Sequence, residues 1–393
     1  MIYLDNSATT ATYAEVVDAM LPYLREEYGN PSSKYYALSQ SARQAVEDSR
    51  ASVAALINAD PSEIIFTAGS TESSNMIIKG VADYQKYYEQ KGNHLITSKV
   101  EHHATLNTCL FLNGEIYSNA DASFSFSNSP RRVDRGFEVS FLDVNKYGQV
   151  NTEVFEQAIR PTTTLASFIW ANNEIGSLND IYALTRVAHS HGILIHTDAT
   201  QLLGRADVDV KQVDVDFLSM SAHKFHGPKG IGAAYFKSDD YGIPPVTAFM
   251  HGGEQENGIR AGTIAVHNIV GMGKAAELTR KRLATDIKTL AVLDKQAREI
   301  VNADDRLVLL GDPAHQLCGV LSIVVNIADF NNERFIRRIS SEFAVSTGSA
   351  CTAGKPSHVL KAIGLENQVS KVIRVSFSPS NSIDDFIKLI SKL

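Results

Sequence analysis

A lysine and an aspartate, each at the end of an apolar segment, are the residues of this sequence best suited to chemistry. Lys224 follows the candidate strand VDFLSM (215–220), within SMSAHKFHGPKG (219–230). If that strand belongs to an open parallel sheet, Lys224 lies at its carboxyl end, where such folds bind ligands. Its amine could form a Schiff base with an aldehyde cofactor, although a lysine in such a loop can also be an ordinary surface residue.

The aspartate is Asp198, which ends a second apolar segment within HTDATQLLG (196–204). A carboxylate at this place can pair with a pyridinium nitrogen and keep it protonated, which makes the ring an electron sink. Gln201, three residues further on, could reach a hydroxyl of the same ring. The alternative is that Asp198 is the N-cap of a helix beginning at ATQ, and this segment alone favours neither interpretation.

Two further segments offer a phosphate seat and a stacking ring. FTAGSTESSN (66–75) reads as strand, glycine turn and helix, so Ser70 and Thr71 would present hydroxyls and N–H groups at a helix N-terminus. The same pattern is also a plain helix cap, and the absence of GK[ST] argues against a nucleotide P-loop. In VEHHATLNT (100–108), His102 could stack on a flat ring, whereas adjacent histidines point apart and no metal is expected.

The elements that must position these residues alternate between short strands and longer helical patterns. The candidate strands are EIIF (63–66), HLIT (94–97), FEVSFL (137–142), TLASFIW (164–170), ILIHTD (193–198), VDFLSM (215–220) and GAAYF (232–236). Repeated strand, helix and strand predicts an α/β fold with a mostly parallel seven-stranded sheet and helices on both faces. We assign residues 15–262 to this large, cofactor-binding domain.

The remainder of the chain predicts a smaller α+β domain. A helical pattern covers about 267–303, and apolar strands follow at GVLSIVVNI (319–327) and VIRVSF (372–377). Residues 1–14 are expected to join 263–393 in this domain, because chain termini often lie close together. Residues 113–136, rich in Ser and Asn and without periodicity, are predicted to be a surface insertion.

Composition excludes several classes of protein. Among the 393 residues 44% are hydrophobic and 21% charged, and the net charge of −7 is spread, which argues against nucleic-acid binding through clustered Lys and Arg. No apolar run approaches the ~20 residues that cross a bilayer, and the N-terminus lacks the pattern of a secretory signal. The three cysteines, Cys109, Cys318 and Cys351, form no CxxC pair, so a reducing cytoplasm is expected.

An amine, a carboxylate, a phosphate seat and a stacking ring together match one cofactor, pyridoxal 5'-phosphate. The chain resembles the cysteine desulfurases of the nitrogen-fixation and iron–sulfur-assembly type, class-V aminotransferase-like enzymes within the fold-type I pyridoxal-phosphate family. The resemblance runs almost end to end, through YLDNSATT (3–10), GNPSS (29–33), TAGSTES (67–73), NNEIG (172–176), HTDATQ (196–201), SAHKFHGPKGIG (221–232), HGGEQENGIRAGT (251–263) and STGSACT (346–352).

The resemblance implies a set of cofactor contacts. Lys224 corresponds to the Schiff-base lysine, Asp198 to the partner of the pyridine nitrogen and Gln201 to the residue that meets the phenolic oxygen. His102 corresponds to the histidine that stacks on the ring and moves protons. The residues that match the phosphate cup are Ser70, Thr71, Ser221 and His223. Thr263 matches a phosphate ligand that reaches in from the neighbouring subunit, which implies a homodimer.

The resemblance also implies the substrate, L-cysteine. Arg374 corresponds to the arginine that clamps its carboxylate, a role suited to the planar guanidinium, and Asn173 lies beside cofactor and substrate. Cys351 corresponds to the nucleophile that takes the sulfur as a persulfide and passes it to an acceptor protein. The acceptor could be an iron–sulfur scaffold, a tRNA-thiolating enzyme or a carrier of thiamine synthesis.

Cys351 lies in STGSACTAGKPSH, where glycines and other small residues predict a mobile loop. A lone cysteine is usually inert packing, and Cys109 and Cys318 are expected to be structural. Many relatives of this type have a longer stretch between the cysteine and the following Pro-Ser, so the reach of Cys351, and with it the acceptor, could differ here.

Three other functions are weighed against this one. A selenocysteine lyase, or another β-eliminating enzyme on the same scaffold, would not need Cys351. An aminotransferase would need a keto-acid acceptor. A non-catalytic platform for assembly partners would not need the combination of Lys224, Asp198 and His102.

Overall fold

The computed structural model of the protein describes residues 1–115, 133–244, 246–348 and 357–393. The helices are α1 (Ala14–Arg25), α2 (Ala37–Leu56), α3 (Ser70–Tyr87), α4 (His103–Leu112), α5 (Thr152–Ala158), α6 (Ile181–Ser190), α7 (Val210–Val213), α8 (Val266–Asn302), α9 (Asn332–Ile339), α10 (His358–Ala362) and α11 (Ile383–Ile390). The strands are β1 (Ile2–Tyr3), β2 (Ile64–Thr67), β3 (His94–Ser98), β4 (Glu138–Leu142), β5 (Thr163–Ile169), β6 (Leu194–Asp198), β7 (Phe217–Ser221), β8 (Gly232–Phe236), β9 (Leu307–Leu309), β10 (Val320–Val325), β11 (Phe343–Ala344) and β12 (Val372–Ser376). Short 3-10 helices cover Pro61–Glu63, Ala222–Lys224, Gln255–Gly258 and Glu366–Lys371.

The central sheet has seven strands in the order β2-β8-β7-β6-β5-β3-β4. Neighbours from β7 to β4 pair in parallel, and β8 is antiparallel to both β7 and β2. The predicted α/β fold with a mostly parallel seven-stranded sheet is therefore confirmed. β8 is the exception because only a short connection with one 3-10 turn joins it to β7, whereas a parallel pair needs a longer crossover.

The strands of this sheet were predicted to within two residues at each end. Their apolar runs are easy to recognise because every residue of β5 and of β7 is buried. Such burial is expected for a parallel sheet whose two faces are both covered by helices. The sequence therefore places the ends of these strands well, and those ends carry the candidate chemistry.

The C-terminal part forms a three-stranded antiparallel sheet, β12-β10-β9, and β1 pairs with β11. The long helix α8 packs into two apolar clusters: Met272 belongs to the larger cluster, and Leu293 belongs to a second one that also contains Leu4 and Phe377. The N-terminal residues thus pack with the C-terminal sheet. The domain limits assigned at residues 14/15 and 262/263 stay a prediction.

Within the four described ranges, no helix combines the length and apolar character needed to cross a membrane. Most of the predicted insertion, residues 116–132, lies outside the described residues.

Candidate active site

A cavity of about 820 Å³ lies at the carboxyl ends of the parallel strands, where the sequence predicted the chemistry. Asp198 and Ser221 are the last residues of β6 and β7, and Ser70 and His102 follow β2 and β3. The predicted site residues that line this cavity are Ser70, Thr71, His102, Asn173, Asp198, Gln201, Ser221, His223 and Lys224. The fold therefore brings together segments separated by up to about 150 residues, because parallel strands all end at one edge of the sheet.

The start of α3 is built to hold an anion. Its N-cap is Gly69, which has φ +152° and contributes no side-chain cap. The first N–H groups of α3 are therefore available to an anion, which the positive end of the helix dipole also favours. A Cβ on Gly232 would lie 2.6 Å from the Cα of Gly69, so β8 can lie this close to the turn only because residue 232 is glycine. The helix begins at Ser70 and Thr71, as predicted for a phosphate seat.

Lys224 ends a one-turn 3-10 helix directly after β7, and its amine contacts the N-terminal segment. Nζ donates to the backbone carbonyls of Ser7 at 2.5 Å and Ala8 at 2.8 Å. The amide of Gln201 also donates to the Ser7 carbonyl, at 3.0 Å. Residues 7 and 8 of the YLDNSATT motif thus form one wall of the site, a role that the sequence did not predict for them.

Asp198 is almost fully buried at the end of β6, on the strand next to the one that precedes Lys224. Its Oδ1 accepts a hydrogen bond from the backbone N–H of Thr200 at 3.0 Å. Residues 200–205 form turns rather than a helix, so the interpretation of Asp198 as a helix N-cap is wrong. The Thr200 hydroxyl, which is buried and lines the same cavity, has no hydrogen-bond partner among the described residues.

Two histidines of the cavity are held neutral at physiological pH. Burial, and to a smaller extent Lys224, lowers the pKa of His223 to about 4. Burial is also the main cause that lowers the pKa of His102, with Asp198 acting in the opposite direction. Nδ1 of His102 accepts from the backbone N–H of Ala104 at 3.2 Å, which places the proton of the neutral ring on Nε2.

A smaller cavity of about 60 Å³ adjoins the main one and contains Arg374. His102, Asn173 and Lys224 line both cavities. Arg374 is 1% exposed, and Nη1 of its guanidinium donates to the carbonyls of Asn173 at 2.8 Å and Gly348 at 2.9 Å. Its Nε is buried without a hydrogen-bond partner among the described residues. A carboxylate entering this space would find an unsatisfied cationic donor.

Cys351 and the loop predicted around it lie outside the described residues, but both flanking residues are tied to the site. On one side, the Gly348 carbonyl is held by Arg374. On the other, the Ser357 hydroxyl caps α10 and donates to Oε2 of Glu174 at 2.5 Å. Burial raises the pKa of Glu174, while the hydrogen bond from Ser357 acts in the opposite direction.

One predicted contact is not found within the chain. Thr263 is exposed and does not line the cavity of its own chain, and its predicted contact with the phosphate seat of a neighbouring subunit stays a prediction. Cys109 is buried in α4 and Cys318 is half-buried, and burial raises the pKa of both thiols. Within the described ranges, no group of three or more His, Cys, Asp or Glu residues could hold a metal ion.

The residues present fit a phosphorylated pyridine aldehyde. The cavity presents an amine, a buried carboxylate, a helix N-terminus without a side-chain cap and a neutral imidazole. It also contains the Thr200 hydroxyl, which has no hydrogen-bond partner among the described residues. These features lie at the carboxyl ends of the strands in a mostly parallel seven-stranded sheet. Together they define the protein as a member of the fold-type I class of pyridoxal-phosphate enzymes.

Comparison with known proteins narrows this class. The sequence profile of the Aminotransferase class-V family matches residues 2–119 and 127–389, and the chain belongs to that family. It is 40% identical to the cysteine desulfurase IscS of Neisseria meningitidis serogroup A over 382 residues, which cover 96% of this chain and 87% of that protein. Two solved structures are similar: a NifS-like protein (TM-score 0.84, 30% identity, 100% and 97% of the chains covered) and SspA in complex with cysteine (TM-score 0.79, 32% identity, 97% and 100% covered).

Sequence reasoning missed the residues that support the predicted ones. Lys224 is held by the carbonyl of Ser7, and Arg374 is paired with Asp5. At one end of the Cys351 segment, Ser357 donates to Glu174. Asp5, Ser7 and Glu174 lie inside YLDNSATT and NNEIG, so the motifs did mark them. Their contacts could not be predicted from the sequence, because each contact joins residues that are far apart in the chain.

Proposed function

We propose that this protein is a cysteine desulfurase that binds pyridoxal 5'-phosphate and removes sulfur from L-cysteine, giving L-alanine. The observation that carries the proposal is Lys224 beside the buried Asp198 at neighbouring strand ends, in a chain 40% identical to a protein named cysteine desulfurase. The structure described as SspA in complex with cysteine adds support for the substrate.

The cofactor would be held by the residues that line the main cavity. When bound, pyridoxal 5'-phosphate supplies an aldehyde and an electron sink for the carbon next to the amino group. Lys224 would carry the aldehyde, Asp198 would keep the ring nitrogen protonated, and Gln201 would meet the ring oxygen. His102 would stack on the ring. The phosphate would be held by Ser70, Thr71, Ser221 and His223.

The substrate would occupy the space between Lys224 and Arg374. Arg374 and Asn173 would bind the carboxylate, since Arg374 keeps one donor unsatisfied there. The amine of Lys224, which in this structure donates to the carbonyls of Ser7 and Ala8, would accept the proton from the substrate Cα once it is uncharged. The neutral ring of His102 can relay a proton at the same place.

The sulfur would be taken by Cys351. Its thiolate attacks the substrate sulfur, so the S–S bond forms as the C–S bond breaks, and the carbon receives a proton to give alanine. Two residues lie between Gly348 and Cys351 in the sequence, so the length of the chain limits the separation of their Cα atoms to about 11 Å. Cys109 and Cys318 are poor alternatives because burial raises the pKa of both thiols, which disfavours the thiolate.

The experiment compares Cys351→Ser with Cys318→Ser in cofactor-loaded protein. The Cys351→Ser protein should keep its cofactor absorbance but form no labelled persulfide and little alanine from L-cysteine, while the Cys318→Ser protein should behave like wild type. Full turnover by the Cys351→Ser protein would refute the persulfide role and favour a β-eliminating enzyme such as a selenocysteine lyase.

The proposal includes a homodimer in the cytoplasm that passes its persulfide sulfur to an acceptor protein. Exposed Thr263 would reach the phosphate seat of the neighbouring subunit. Earlier in the same segment, Glu256 forms an ion pair with Arg50 at 2.8 Å. The acceptor would serve iron–sulfur cluster assembly or thiolation of tRNA or a cofactor, and isolating proteins that become labelled from a Cys351 persulfide would identify it.

A further inference from the structure

A second cavity, of about 380 Å³, lies beside the active site at the base of the 113–136 segment. It is lined by residues of α3 and α4 and by the chain around 133–137 and 247–249. Of the described residues, Phe249 alone lines both this cavity and the main one, so the two spaces are neighbours but distinct.

Two cations share one aromatic ring in this second cavity. The guanidinium carbon of Arg135 lies 3.7 Å from the ring centroid of Phe111, and Nζ of Lys79 lies 4.5 Å from the same centroid. Nζ of Lys79 is also 5.3 Å from the ring of Phe249. Burial and the neighbouring Arg135 lower the pKa of Lys79, as expected for two like charges that lack a counter-ion.

Donors in this cavity are left without partners. Nε of Arg135 and the hydroxyl of Thr247 are both buried and make no hydrogen bond within the described part of the chain. Neither Lys79 nor Arg135 forms an ion pair with a described residue. Buried polar groups are normally satisfied, so two buried donors without a described partner, beside the ammonium of Lys79, indicate a missing ligand.

The acidic residues nearby do not neutralise these cations. Asp83 and Asp134 line the cavity, but neither forms an ion pair with Lys79 or Arg135. Oδ1 of Asp134 instead accepts from the backbone N–H of Gly136 at 2.7 Å.

We propose that Lys79, Arg135 and Thr247 form a second binding site, for the phosphate monoester of a small planar molecule. A phosphate monoester presents three terminal oxygens and close to two negative charges, which match an arginine fork, an ammonium and a hydroxyl. Phe249, Phe137 and Tyr87 supply apolar walls for the ring. This site goes beyond the proposed desulfurase activity and does not depend on it.

The test is isothermal titration of the full-length, cofactor-loaded protein with adenosine 5'-monophosphate and, separately, with adenosine. We expect saturable binding of the monophosphate and at least about tenfold weaker binding of adenosine, since charged hydrogen bonds to the phosphate are lost. Titration with excess pyridoxal 5'-phosphate distinguishes a nucleotide from a second molecule of the cofactor class. Whichever of adenosine 5'-monophosphate and pyridoxal 5'-phosphate binds more tightly shows whether the site prefers a purine or a pyridine ring.

Variants locate the binding. Lys79→Gln combined with Arg135→Gln should weaken the binding of adenosine 5'-monophosphate at least about tenfold. The control Lys295→Gln, at a side chain 79% exposed on α8, should leave this binding unchanged. Thermal melting checks that each variant is folded. The proposal is overturned if wild-type protein binds neither phosphate probe at about 10 mM, or if the double variant binds as well as wild type.

Discussion

Arg374 and Asp5 form an ion pair across 369 residues of sequence, with Nη2 of Arg374 2.7 Å from Oδ1 of Asp5. Arg374 lies on β12, and Asp5 follows β1 at the other end of the chain. Their side chains are 2% and 17% exposed, so the pair is largely removed from water. The pair orients the guanidinium that we propose for substrate binding: its Nη2 is turned to Asp5, and its Nε has no partner among the described residues.

Asp5→Asn should therefore lower the free energy of unfolding by about 1–3 kcal/mol, because it leaves the buried Arg374 without its charged partner. Urea denaturation measures the change. Asp143→Asn is the matched control: Asp143 pairs with Lys99 at 2.6 Å, but the side chains are 83% and 46% exposed. The control should change stability by less than about 0.5 kcal/mol. Equal effects of the two changes would contradict the importance of burial.

Ser357 joins the Cys351 segment to the site, so Ser357→Ala should slow sulfur transfer. Its hydroxyl donates to Glu174 and accepts from the backbone N–H of Leu360 at 3.0 Å. The change should cost about 1 kcal/mol as a lost helix cap. In single-turnover assays it should reduce the rate of persulfide formation, while cofactor absorbance stays normal.

Ser382→Ala is the control for the Ser357 prediction. Ser382 caps α11 and accepts from the backbone N–H of Asp385 at 3.3 Å, and it lines neither cavity of the site. A similar loss of stability is expected, with persulfide formation unaffected. If both variants slow persulfide formation equally, Ser357 acts only through stability.

His196 makes stability depend on pH. It is fully buried beneath the sheet end, with Nδ1 2.8 Å from the Ser167 hydroxyl and Nε2 3.2 Å from that of Ser219. Burial lowers its pKa to about 4. Because the folded pKa lies below the unfolded value of about 6.5, the stabilisation is complete above pH 6.5 and is lost as pH falls toward 4.

His196 alone should therefore account for a fall of about 2 kcal/mol in the free energy of unfolding between pH 6.5 and pH 4.5. Urea denaturation of wild type and His196→Gln at both pH values measures it. The variant should be less stable at pH 7 and should lose less stability on acidification. Parallel losses in the two proteins would show that other groups cause the acid sensitivity.

Mixing two inactive variants tests whether Thr263 acts across a dimer. Lys224→Ala should abolish activity, since the amine that carries the cofactor is lost. Thr263→Asp should prevent cofactor binding by placing a negative charge beside the phosphate. If Thr263 serves the neighbouring subunit, a mixed dimer contains one site in which both positions are wild type.

Co-refolded or co-expressed mixtures of these variants should therefore regain up to about a quarter of wild-type activity at equal amounts of the two chains, since half the dimers are mixed and each has one good site. The alanine assay measures this. Either variant alone, treated in the same way, is the control. No recovery in a mixture shown to contain mixed dimers would mean that Thr263 acts within its own chain or not at all.

The sequence by itself determined where the strands lie along the chain and which residues stand at their ends. Apolar runs such as β5 and β7 are buried on both faces, so local composition is enough to find them, and a lysine or aspartate that ends such a run is conspicuous. The motifs around Lys224, Asp198 and Ser70 were recognised for this reason.

Only the tertiary structure decided which distant groups hold those residues in place. Ser7 reaches Lys224 across 217 residues, and Asp5 reaches Arg374 across 369, contacts that no local pattern encodes. The antiparallel direction of β8 and the shared ring of Phe111 under two cations were likewise invisible in the sequence. Local periodicity reports on burial within one element, whereas such contacts depend on how separate elements are brought together when the core packs.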